Sequence, residues 1–198
     1  MHDQQALKFI DHVKSECKKY GIKAQLKKTK YLVLSGNIKC SGYFDDENKV
    51  LACSMNRPDA IEILAHEYSH LTQYVDQIPL WSATTTSMPE LDRWLAGEEV
   101  KDIDQHLANC RDLELDNEKR TVEVIKKFNL DIDLDNYVRK SNAYVAFYNY
   151  LKHSRKWCTP KRSPYSNPRL LAAMPTEFNM DHTILPEHIK QIFIEERI

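Results

Sequence analysis

Residues 62–70 read EILAHEYSH, and within them His66, Glu67 and His70 stand at H-E-x-x-H spacing. Side chains four apart share one face of a helix. His66 and His70 can therefore both reach one tetrahedral zinc ion at about 2.0–2.1 Å. The intervening Glu67 points beside that pair, where a carboxylate reaches a water held by the metal and serves as general base. The plainer alternative is two histidines at a surface, or satisfied by hydrogen bonds, on an ordinary helix.

A catalytic zinc needs a third protein ligand and an open position. The continuation H-x-x-G-x-x-H is absent, because Gln73 stands at the glycine position and Asp76 at the histidine position. Asp76 is a weak candidate, since no glycine turns the chain back toward the ion. LELDNEKRTVEVIKKF, residues 113–128, offers a better one. At 100° per residue, Leu107, Cys110, Thr121, Val122, Ile125 and Phe128 form an apolar stripe. Glu114 and Glu118 fall inside it, one turn apart, while Asp112, Asp116, Lys119, Glu123, Lys126 and Lys127 take the far side. Two buried carboxylates without partners cost several kcal/mol. A metal on Glu114, with Glu118 accepting from the free ring nitrogen of His66 or His70, removes that cost. The competing reading rotates the helix so that both acids sit at a wet rim.

The elements that must position these residues are legible from periodicity. A helix is expected over 4–20, with Leu7, Ile10, Val13 and Cys17 inward and Gly21 ending it. Strand candidates follow at 23–34, 37–44 and 49–55, the last two joined by a hairpin at DDEN. NRPDA should open the histidine helix, with Asn56 as N-cap and Pro58 in the first turn, and that helix should reach about Val75. In it Ile61, Leu64, Ala65, Tyr68, Leu71 and Val75 face the core. Ile63 and Tyr74 lie on the histidine side, which implies that something covers that side too. Residues 79–104 read as loop with a short helix capped at Ser87. Longer helices are expected over 104–129 and 134–157, then a proline-containing tail and a short helix near 186–196. The fold expected is α+β: a small N-terminal antiparallel sheet packed on a mainly helical body, in one domain spanning 1–198.

The chain has 198 residues, a formal net charge of −1 and only 4 glycines. Neither G-x-x-x-x-G-K-[ST] nor G-x-G-x-x-G occurs, which removes the main support for nucleotide-loop enzymes. No segment approaches a membrane span and the first residues lack a leader's apolar stretch, so a cytoplasmic protein is expected. Five cysteines without a C-x-x-C pair suit reduced thiols, with Cys40 and Cys53 the one pair that a hairpin could bring together. Basic residues gather in 14–30 and again in 152–169, where Lys152, Arg155, Lys156, Lys161, Arg162 and Arg169 stand; solvated surface is the simplest reading.

HEYSH at 66–70 followed by ELDNE at 114–118 resembles the gluzincin zinc metallopeptidases, most closely small single-domain members such as those of bacteriophages. The likeness covers roughly residues 45–130. It implies a zincin-like domain with one Zn2+ per chain on His66, His70 and Glu114, Glu67 as base and Glu118 behind the ligands. Glu118 departs from the aspartate many relatives carry, leaving its partner open. The resemblance also implies that KVLACSM, the strand before the metal helix, binds a peptide substrate by strand addition. Zinc would lower the pKa of its water toward about 7 for attack on a peptide carbonyl. Tyr144, Tyr148 and His153 are candidate donors to the oxyanion, though plain core packing is the favoured reading of each residue on this aromatic helix. His106 reads as a surface residue. The alternatives are a peptidase-fold binding or structural protein without turnover, and a protease that its basic segments dock on DNA; nucleic acid is possible as a partner but not favoured. A phage-encoded protein would act in the host cytoplasm.

Overall fold

The computed structural model describes residues 4–34 and 37–198. In helix α1 (Gln4–Lys19) the buried face is Ala6, Phe9, Ile10, Val13 and Cys17. Leu7, expected inward, is exposed, because Phe9 and Ala6 rotate the stripe away from it. Gly21 ends the helix at φ +68, a left-handed conformation that lacks a Cβ penalty, and Ile22 N–H closes back on Cys17 C=O at 2.7 Å.

The strand region is more broken than its periodicity suggests. The 23–34 candidate is two strands, β1 (Lys23–Lys27) and β2 (Leu32–Val33). The second candidate is β3 (Lys39–Cys40) and β4 (Gly42–Asp45), and the third is β5 (Val50–Ser54). The DDEN hairpin forms, with β4 antiparallel to β5, and Asp45 accepts from the Asn48 N–H at 2.8 Å. β1, however, pairs parallel with β5. The main sheet, in the order β1-β5-β4, is therefore mixed rather than antiparallel, and β2 and β3 form a separate antiparallel pair. All five cysteines are free.

Helix α2 (Ala60–Val75) ends as expected but starts later than Asn56. Asp59 is its N-cap residue yet makes no capping bond; the Arg57 guanidinium holds both its oxygens at 2.8 and 2.7 Å. The largest departure is α3 (Pro79–Leu95), a full helix where a loop and short helix were expected. Pro79 opens it, and Pro89 sits in its interior. Ser87 is no cap: it donates to Ala83 C=O at 2.8 Å and accepts from the Asn109 amide at 2.9 Å. Helices α4 (Ile103–Phe128) and α5 (Leu134–Ser154) match their expected spans closely. Arg155 adopts φ +47 and stops α5 short, its guanidinium donating to Trp94 C=O at 2.8 Å. Short helices α6 (Pro168–Ala173) and α7 (Glu187–Glu195) complete the chain.

The chain forms two compact units, with α4 contributing to both: Met1–Gln77 with Arg120–Ile132, and Ile78–Lys119 with Asp133–Ile198. In the first, Phe9 packs against Tyr68 and Phe128 at ring separations of 5.9 and 5.1 Å, and Leu51, Leu64 and Leu71 are fully buried. In the second, Leu91, Leu107, Phe147, Leu151, Leu170 and Phe193 share one core. There α5 also grips main-chain carbonyls of the following segment. Arg139 donates to Leu171 and Met174 C=O at 3.1 and 2.6 Å. Asn142 donates to Pro175 and Glu177 C=O, both at 3.0 Å. Asn149 donates to His182 C=O at 2.9 Å and to Ile184 C=O at 3.3 Å. Among the described residues no helix is long and apolar enough to cross a membrane.

Candidate metal centre

α2 is covered on more than one side, as Ile63 and Tyr74 imply. Leu64, Ala65, Tyr68 and Leu71 are buried, and so are Glu67, Ser69 and Gln73. Sheet residues provide part of the cover: the Tyr74 ring lies 5.7 Å from that of Phe44. A Cβ built on Gly42 of β4 would stand 2.8 Å from both Glu67 Cγ and Ile63 Cγ2, and 2.9 Å from Glu67 Oε1. Only glycine lets this strand approach so closely. Glu67, 8% exposed, is thus held between its own helix and an outer strand of the sheet.

The C-terminal half of α4 is fastened along α2. Thr121 donates to Ser69 Oγ at 3.0 Å, both fully buried. Arg120 pairs with Asp76 at 2.6 Å and donates to Thr72 Oγ1 at 3.3 Å. Asp76 is therefore the exposed end of α2 bound to a guanidinium. Glu114 lies further back along the same unbroken helix. The ligand atoms of His66, His70 and Glu114 all lie within 4.8 Å of one another, each residue half-buried. The two imidazole rings meet edge to face, centroids 4.8 Å apart and planes at 87°. Ligands around a tetrahedral zinc sit about 3.4 Å apart at bond lengths of about 2.0–2.1 Å.

Gln73 takes a part that spacing did not suggest. Its Oε1 lies 2.9 Å from His70 Nδ1; a carbonyl oxygen only accepts, so Nδ1 is the donor of this pair and Nε2 is the ring nitrogen left to face a metal. An outer partner of this kind is what orients a metal-binding imidazole. The only signal in the sequence is position: Gln73 lies three residues after His70, on the same helix face.

Glu118 is buried as expected, 5% exposed, but its Oε2 accepts from Tyr137 and, at 2.8 Å, from Ser141, both on α5. These hydroxyls meet part of the cost of burying its carboxylate. Tyr144 and Tyr148 lie with their hydroxyls 3.3 Å apart. Burial pushes both phenols well above their usual range. Tyr148 and then Glu114 add to the effect at Tyr144, and Glu114 adds to it at Tyr148. His153, nine residues beyond Tyr144, falls on the opposite side of α5; it is exposed and lines a cavity with Asp104 and Arg111 instead. His106 is half-buried, its Nδ1 3.1 Å from Ser87 Oγ. The strand KVLACSM is not an edge: β5 is the centre of its sheet, with β1 and β4 taking both sides. β4, the strand against Glu67, is one of the two outer strands.

Compared with protein families, curated proteins and solved structures, the chain matches none.

Proposed function

We propose that this protein is a zinc-dependent metallopeptidase in which His66, His70 and Glu114 hold the ion. The observation that carries the reading is the gathering of those three ligand atoms within 4.8 Å. Two imidazoles and a carboxylate are a donor set that catalytic zinc uses, with a fourth position left open. When bound, zinc supplies Lewis acidity to a carbonyl and lowers the pKa of a water toward about 7. Glu67, adjacent to His66 and packed against Gly42, would accept the proton of the attacking water and pass it to the leaving amine. Tyr144 and Tyr148 keep their phenolic protons at neutral pH, and so either can donate to an anionic oxygen. An extended peptide would add to β4, the outer strand beside the base.

Metal analysis with activity tests this reading. Wild type should hold close to one zinc per chain, His66→Ala should lose it, and Glu114→Ala should hold far less. Glu67→Gln should keep the metal and lose peptide cleavage. A wild-type chain that takes up no zinc overturns the proposal; zinc retained without cleavage of any peptide library favours a binding role.

A further inference from the structure

The basic stretch 152–169 divides sharply in the fold. Lys152 pairs with Asp104 at 2.8 Å, Arg155 with Glu99 at 3.5 Å, and Arg169 with Glu195 at 2.5 Å. Lys156 and Arg162 form no such pair. They line one cavity of about 350 Å³, together with Arg197, which arrives from the far end of α7. Among the described residues no aspartate or glutamate side chain lines it, Ile198 borders it beside Arg197, and none of the three cations has a carboxylate within 4.0 Å. Three cationic side chains from separate segments thus border one recess, and a concave site rich in positive charge concentrates anions. Guanidinium forks and an ammonium suit phosphate oxygens, and the hydroxyl of Thr159, also in the lining, adds a donor.

The same cavity presents a planar ring. Trp157 is 44% exposed, yet it is held edge to face against Phe147 at 5.5 Å and Tyr148 at 5.8 Å. Tyr150 also borders the space. An ordered, accessible indole beside a cationic recess is a stacking platform for a base whose phosphate meets the cations. The volume falls within the range of small-ligand sites, about 300–1,000 Å³.

We infer that this cavity binds a nucleotide phosphate, its base on Trp157 and its phosphate among Lys156, Arg162 and Arg197. The same chemistry is offered by a free nucleotide and by the 5′ end of a single strand. Calorimetry and tryptophan fluorescence on the full chain at low ionic strength, with 5′-AMP, a 5′-phosphorylated single-stranded oligonucleotide and inorganic phosphate as probes, test it. AMP or the oligonucleotide should bind saturably, the tighter of the two marking the source. Trp157→Phe should remove most of the fluorescence change. Arg162→Gln with Arg197→Gln should weaken binding at least tenfold with an unchanged circular dichroism spectrum, and the exposed Lys156→Gln alone should weaken it severalfold. The inference is overturned if neither probe binds, if the double variant binds as wild type, or if inorganic phosphate binds as tightly as AMP.

Discussion

Gly42 and Glu67 show how much of a site depends on contacts that no local pattern announces. The H-E-x-x-H spacing picked out His66, Glu67 and His70 because helical geometry is local, and Glu114 stood out as an acid within an apolar stripe. Gly42 carries no such mark, being 25 residues from Glu67 in sequence. Gln73 was noticed only for not being a glycine. Glu118 was rightly read as buried, and two of its partners, Tyr137 and Ser141, lie on a helix whose face could not be matched to it in advance. A methyl group at position 42 would overlap Glu67 and Ile63 at 2.8 Å. Overpacking of this kind costs about 1–3 kcal/mol. Gly42→Ala should therefore lower stability by that amount in urea denaturation and displace the Glu67 carboxylate while leaving zinc uptake intact. Wild-type stability in this variant would mean that the strand does not press on Glu67.

Long helices with clear periodicity were readable to within a few residues, and α4 and α5 are the clearest cases. α3 was not. Its run Thr84-Thr85-Thr86-Ser87 and interior Pro89 have poor helix propensity, and tertiary contacts overrule that preference. Thr84 donates to Asn109 C=O at 3.1 Å, and Ser87 lies at the centre of contacts to Asn109 and His106. The same hydroxyl that looked like a cap is a fastener between α3 and α4. Removing it costs the half-buried Asn109 amide that hydrogen bond, about 0.5–1.5 kcal/mol. Ser87→Ala should show that loss with helix content preserved; a change below about 0.5 kcal/mol would assign the α3–α4 pairing to apolar packing alone. Strand order was equally hidden, since β1 and β5 pair in parallel across intervening β-structure and no turn signal reports such a pairing.

Across the whole chain, acid should loosen the fold. His182 is 7% exposed, its Nε2 2.8 Å from Asn142 Oδ1, and its pKa is lowered by burial and then by Lys119 and Arg111. His12, 2.9 Å from the Tyr68 hydroxyl, is lowered mainly by burial and then by Lys127. A histidine with a depressed folded pKa takes up its proton first in the unfolded chain. Stability is therefore complete above about 6.5 and is lost as pH falls from there through the folded pKa values. The thermal midpoint should drop between pH 7 and pH 5, and His182→Gln should flatten part of that slope. A midpoint independent of pH over this interval, or an unchanged slope in the variant, would contradict it.

The grip of α5 on the segment after it has a separate meaning for how the protein tolerates change. Arg139, Asn142 and Asn149 hold the carbonyls of Leu171, Met174, Pro175, Glu177, His182 and Ile184. Every residue type has a carbonyl in its backbone, so this mode of attachment is blind to the side chains it fastens. Mutational freedom is thus lopsided: exposed tail positions such as Ala172, Glu177 and Ile184 can drift in composition and keep their path, whereas buried Met174 and His182 and the three grasping residues on α5 have few substitutes.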